Sequence, residues 1–177
     1  MLVNYKLGVL LIIYQTLAWF YSAEPFRLKR FPIVASFLSA TTLLTVFFSG
    51  FILFSPAQNL DYLPWRIVFL LLIAYTLSLP IKDFKDIAGD KKDGILTVPV
   101  IFGEEKGRLI VGAGFFISYV LSVFFINEKS LFFPALIFGA LSFFVMINKK
   151  IHPRKVFWWI LPLVTIYGLL AVRLIFF

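Results

Sequence analysis

Asp83, Asp86, Asp90 and Asp93 place four of the chain's nine acidic residues within eleven positions, directly after a long apolar run. A helix turns about 100° per residue, so a helical reading puts the four carboxylates on one arc of roughly 80°. Neighbours three and four apart stand ~5–6 Å from each other at Cβ, where like charges repel. A cation between the carboxylates would offset that repulsion. Hard oxygen ligands suit Mg²⁺, which keeps several waters and takes one or two carboxylates together with substrate phosphates. The spacing therefore points to a metal-and-phosphate centre, with Asp86 and Asp90 as the leading ligands and Asp83 as the third. The competing reading is a solvated loop in which the neighbouring lysines neutralise the aspartates.

The elements that must hold this segment are membrane helices. The chain is 61% hydrophobic over 177 residues, with a mean hydropathy of +0.96, where soluble domains carry ~45–50% apolar residues. Six apolar stretches, at 2–19, 33–54, 65–81, 109–126, 131–147 and 156–177, approach or reach the length that a spanning helix needs. Strands of a membrane barrel would alternate in polarity, and none of these stretches does. Backbone groups in hydrocarbon must be satisfied within the segment, so the stretches are expected to be helices. The expected fold is all-α: one polytopic transmembrane helical bundle over residues 1–177, with about six spanning helices.

Charge gives the bundle a direction. Thirteen of the seventeen basic residues fall in three alternate loops: Arg27, Lys29 and Arg30; Lys82, Lys85, Lys91, Lys92, Lys106 and Arg108; and Lys149, Lys150, Arg154 and Lys155. The positive-inside rule places these loops in the cytoplasm and both termini outside it, in the cell (inner) membrane. Trp19, Tyr21, Trp158 and Trp159 then flank the cytoplasmic boundary, and Tyr62 and Trp65 the opposite one. The net charge of +8 is thus membrane topology, with anionic lipid as its partner and no nucleic acid implied. Cysteine is absent, which excludes disulfides, thiolate metal sites and a cysteine nucleophile.

Two of the basic loops have further character. The first, residues 21–32, is bracketed by Pro25 and Pro32 and cannot be one continuous helix. The segment 82–108 is the aspartate-rich cytoplasmic loop, and loops of this length are more often functional than structural. Its apolar part, Ile95 to Phe102, is expected to pack over the bundle mouth like a lid. Pro80 is expected to kink the helix that presents the aspartates. Gly103, followed by Glu104 and Glu105, marks the start of the next helix.

The run from Asp83 to Pro99 resembles the second aspartate-rich motif of the UbiA superfamily of membrane prenyltransferases, K-D-x-x-G-D, then a basic residue, then G-I-x-T-x-P. Tyr21-Ser22 with Pro25, Arg27 and Lys29 resembles that family's Y-S-x-P-P-x-R-x-K stretch, with Glu24 where a first proline is common. The resemblance implies a nine-helix fold around a cavity, of which this chain corresponds to helices four through nine. The family's first aspartate-rich motif, N-D-x-x-D-x-x-x-D, is not in the sequence, so the chain is expected to be a fragment or a split part of the enzyme. By resemblance, its activity is Mg²⁺-dependent transfer of a polyprenyl group from a prenyl diphosphate to an acceptor in the membrane. Asp83, Asp86 and Asp90 would be metal ligands, and Lys85, Lys91, Arg27 and Lys29 diphosphate contacts; a subunit would supply the missing helices. The alternative is a non-catalytic subunit or pseudoenzyme that binds an isoprenoid lipid or a partner.

Overall fold

Prolines set where several of the long helices begin. The computed structural model describes residues 5–55 and 59–176. Pro32 opens α2 (Pro32–Phe54), which follows α1 (Tyr5–Ser22). Pro64 caps the start of α3 (Trp65–Ser78), and a short α4 (Ile87–Lys92) leads to α5 (Val98–Ile126), whose first turn holds Pro99. After α6 (Phe132–Ile147), Pro153 opens α7 (Pro153–Phe176). The first helical residues have no intrahelical partner for their N–H groups, so proline there sacrifices no bond.

Among the described residues there is no strand. Among the described residues, five segments are long and apolar enough to cross a membrane: Pro32–Phe54, Trp65–Lys85, Val98–Ile126, Lys129–Ile147 and Pro153–Leu174. The first expected span corresponds to α1, which has 18 residues and lies against α2. The helical membrane bundle anticipated from the sequence is the fold the chain adopts.

Packing divides the bundle. The larger core joins α5, α6 and α7 to the segment after α3, through Phe84, Val111, Leu131, Met146, Val156 and Tyr167. Small residues bring these helices close: a Cβ on Gly112 would meet Met146 and Phe143 at 3.1 Å, and one on Gly139 would meet Phe116 at 3.0 Å. Gly114 lies against α3, where a Cβ would come 2.8 Å from the Leu77 carbonyl oxygen. A smaller core of Leu44, Leu63 and Val68 joins α2 and α3. Among its described residues, α1 buries only Leu10.

The kink expected at Pro80 takes a definite form. Proline removes one helical hydrogen bond and crowds the carbonyl four residues back, and α3 gives way to a 3₁₀ segment, Leu79–Lys85. That segment keeps the span apolar as far as Phe84, which is 2% exposed. At Asp86 the backbone leaves helical geometry (φ −140°, ψ 42°) before α4 begins. The four aspartates therefore do not share one ideal helix, and the single arc expected from the sequence is replaced by two short elements meeting at Asp86.

Beyond α4, Gly94 turns the chain at a φ of 66°. The Leu96 amide then donates to the Arg30 carbonyl at 3.3 Å, which ties residues 94–97 to the first basic loop. Gly103 lies inside α5 with φ 78° and ψ 163°, so residues 98–102 form a separate turn and the long helix starts at Glu104, as its sequence suggests. The apolar run that precedes it is partly a lid: Ile95, Thr97 and Pro99 are buried, whereas Leu96, Ile101 and Phe102 are exposed. The third basic loop joins the same end of the bundle, where Lys149 Nζ pairs with Glu105 at 2.5 Å.

Candidate functional site

At this basic end a polar cavity of about 190 Å³ is lined by Tyr21, Lys29, Ser36, Lys82, Asp83, Asp90 and Thr97 among others. Each wall has a local cause. Tyr21 stands in the last turn of α1, and Lys29 in the 3₁₀ turn Leu28–Arg30. Asp83 is aimed by the 3₁₀ segment after Pro80 while its neighbour Phe84 is anchored in the core; a Cβ on Gly107 would meet that ring at 3.3 Å. Asp90 comes from the first turn of α4. Burial pushes the Asp90 carboxyl above its ordinary value; the Thr97 hydroxyl and Lys29 act in the opposite sense, while the charges of Asp86 and Asp93 add to the rise.

Lys82 sits at a boundary. Its ammonium donates to Tyr21 Oη at 3.3 Å and to Ser39 Oγ at 3.1 Å, and it lies 5.1 Å from the centre of the Tyr21 ring. Such a cation–π contact is worth ~0.5–2 kcal/mol, more as water is excluded. Among the described residues no carboxylate forms an ion pair with Lys82. Tyr21 and Lys82 also line a second, mostly apolar cleft of about 320 Å³ between α1, α2 and the end of α3, with Tyr14, Ala18, Leu43, Val46 and Leu79. A polar chamber holding two carboxylates and two ammonium groups thus adjoins an apolar cleft, and Lys82 and Tyr21 belong to both.

The residues expected to carry chemistry separate into groups. Asp83 and Asp90 face the chamber together, with Lys29. Asp86 turns its carboxylate to the start of α4, where Oδ1 accepts from the Gly89 amide at 3.2 Å; a Cβ at position 89 would stand 2.5 Å from that oxygen, so a side chain there would make the carboxylate shift. Lys85 and Lys91 are exposed and do not line the cavity. Arg27, in left-handed conformation (φ 39°), reaches Glu24 at 3.9 Å, and Arg30 reaches the same carboxylate at 3.7 Å. Among the described residues no group of three or more His, Cys, Asp or Glu side chains is placed to hold a metal ion. The two chamber carboxylates still fit Mg²⁺, which needs only one or two when phosphate oxygens complete its shell.

Sequence reasoning passed over Lys82, Tyr21 and Thr97 as site residues. Lys82 looked like one more positive-inside charge, and Tyr21 like a residue of the interfacial belt; its ring instead lies beneath Lys82. The signal available was adjacency: Tyr21 lies next to the Ser22-to-Lys29 stretch, and Lys82 precedes the first aspartate. Arg108 was also counted as a topology charge. It is 3% exposed, and its guanidinium donates to the carbonyls of Met146, Asn148 and Ile151 at 3.1, 3.1 and 2.8 Å and to Glu104 at 3.0 Å. It clamps the α6–α7 connection to α5.

Comparison with known proteins agrees with this architecture. The model of the UbiA prenyltransferase family matches residues 1–161, and the chain belongs to that family. It is 34% identical over 84 residues to digeranylgeranylglyceryl phosphate synthase of Methanococcoides burtonii, covering 42% of this chain and 29% of that protein. It is 41% identical over 51 residues to somaliensene A/B synthase of Streptomyces somaliensis, covering 29% and 17%. A third relative, the chloroplastic 2-acyl-4-prenylphloroglucinol 6-prenyltransferase of Humulus lupulus, is 42% identical over 65 residues, covering 33% and 16%. The chain thus spans less than a third of the length of each of these relatives. No solved structure matches it. With its apolar helices, membership of the family makes this a multi-pass integral membrane protein.

Proposed function

We propose that the paired cavities hold a prenyl diphosphate, its diphosphate in the polar chamber and its hydrocarbon in the apolar cleft, for transfer of the prenyl group to an acceptor in the membrane. The observation that carries this reading is the sharing of Lys82 and Tyr21 between the two spaces, which matches the join between an anionic head and an apolar tail. Lys29 and Lys82 neutralise the head, and Asp83 and Asp90 would hold Mg²⁺, which when bound supplies Lewis-acid stabilisation of the departing diphosphate. Asp86 is the third member of this set: its charge is felt at Asp90, and releasing the Gly89 amide would free it to join. The apolar walls of the cleft keep water from a carbon centre that has lost its leaving group.

Two carboxylates are a weak cation site, so we place turnover in an assembly where a second acidic cluster faces this one, from elsewhere in the protein or from a subunit. The basic end is proposed to lie in the cytoplasm, on the charge asymmetry of the loops. The test is thermal unfolding of the purified 177-residue chain in detergent with Mg²⁺ and geranylgeranyl diphosphate, geranylgeraniol or inorganic diphosphate. The prenyl diphosphate should stabilise most, because only it fills both spaces. Equal stabilisation by geranylgeraniol would sink the reading.

A further inference from the structure

Thr97 is a buried polar group that the proposed function leaves without a task. Its side chain is 7% exposed, and buried Oγ1 meets no partner at full hydrogen-bond geometry, although it lies close enough to the Asp90 carboxylate to favour its ionised form, in the wall of the chamber that holds Asp83, Asp90, Lys29 and Lys82. Buried side-chain hydroxyls in native proteins are nearly always paired. Local structure offers this one a partner and then withdraws it. Thr97 is the N-cap of α5, where a threonine hydroxyl ordinarily accepts from the amide of the second or third helical residue. The second is Pro99, which has no N–H. The third is Val100, whose amide donates to the Thr97 backbone carbonyl at 3.0 Å instead. The hydroxyl is left to the chamber.

The other walls say what it would meet there. Two ammonium groups call for an anion, and two carboxylates call for a cation beside it, so a phosphoryl oxygen bridged to a divalent cation satisfies both. A hydroxyl can donate to that oxygen without adding charge. We propose that Thr97 Oγ1 donates a hydrogen bond to a phosphoryl oxygen of the bound ligand, which makes Thr97 a binding residue of the site. This rests on the prenyl diphosphate reading and adds to it a specific contact. The proximity of the hydroxyl to Asp90, whose ionised form it favours, places it beside the group that would hold the bridging cation.

The variants Thr97→Val, Thr97→Ala and Thr97→Ser separate this role from a packing role. Thermal unfolding is measured with and without Mg²⁺ and inorganic diphosphate, and affinity is taken from the midpoint shift. Thr97→Val keeps the shape and removes the hydroxyl together with its support of the Asp90 carboxylate, so the protein without ligand should keep its unfolding midpoint close to that of the unsubstituted chain. Its affinity for Mg²⁺–diphosphate should nevertheless fall roughly tenfold, the loss expected for one hydrogen bond to a charged group. Thr97→Ala should lose affinity in the same way, and Thr97→Ser should stay close to the unsubstituted chain. Affinity unchanged in both Thr97→Val and Thr97→Ala would overturn the inference while leaving the site reading intact. An affinity loss shared by Thr97→Ser would assign the effect to the lost methyl and also overturn it. No Mg²⁺–diphosphate shift in the unsubstituted chain would remove the site reading and this inference with it.

Discussion

The α5–α6–α7 half and the α1–α2 half of the molecule are built on different principles. In the first, glycines at 112 and 139 let helices approach until side chains interlock, and Arg108 joins three backbone carbonyls across the α6–α7 connection. Two buried hydroxyl pairs, Ser122 with Tyr167 and Ser142 with Tyr119, add polar contacts between its helices. In the second half, Gly8 and Gly50 have nothing near the place a Cβ would occupy, α1 buries little, and the space between helices is a cleft. The chamber lies where the halves meet: Asp83 is held by the packed half through Phe84, and Tyr21 and Lys29 come from the open one. The comparison teaches that Asp83 and Lys82 share a segment anchored in the packed half, while Tyr21 and Lys29 come from helices that leave a cleft between them, which suits a site that must admit a long apolar chain.

If that division is right, stability and binding should be separable by position. The largest effect should come from Asp83→Asn or Asp90→Asn, which remove an anionic ligand and keep the shape. Mg²⁺-dependent diphosphate binding should be lost, and turnover in a complete assembly should fall by orders of magnitude, with the unfolding midpoint in detergent preserved. Near-normal turnover from either variant would end the assignment. Asp61→Asn, at the other end of the bundle, should be silent in the same assay.

In the packed half the effects should run the other way. Arg108→Met strands the three carbonyls and should cost on the order of 3 kcal/mol in stability, read as a lower midpoint, while any diphosphate affinity measured below that midpoint stays unchanged. Arg30→Met removes only an exposed ion pair and should change stability by less than ~0.5 kcal/mol. Gly114→Ala forces a methyl against the Leu77 carbonyl and should cost ~1–3 kcal/mol. Gly50→Ala has open space and should be neutral or slightly stabilising, since alanine favours a helix by ~1 kcal/mol over glycine. Equal losses from the two glycine changes would erase the contrast between the halves. Asp86→Ala removes the α4 cap and should cost ~1 kcal/mol; Asp86→Asn should retain the cap.

The parts legible in the sequence were those written as local composition. Apolar runs gave the helices, the distribution of Lys and Arg gathered three loops at one end, and Gly103 before two glutamates marked where the long helix starts. The density of the aspartate cluster pointed to the segment that lines the polar chamber with Asp83 and Asp90. What the sequence did not disclose was how that cluster folds. Helical periodicity assumed one continuous helix, whereas Pro80 favours a 3₁₀ segment and Asp86 ends it by capping α4; both are local signals whose combined geometry depends on Phe84 finding its place in the core. Lys82 and Arg108 were hidden for a different reason. A charge bound for the interior and a charge bound for the membrane surface are the same letter, and only packing separates them.

Phe84 also decides what kind of loop this is. It stands between Asp83 and Lys85, so displacing the chain by a single residue would drive a charge into the core and expel the ring. Connections between helices usually accept insertions and deletions, because their side chains face water in any register. The 82–86 stretch should accept none, although it is among the most polar parts of the chain. Its spacing is as constrained as that of a buried helix, and length changes here should be no better tolerated than in the middle of α5.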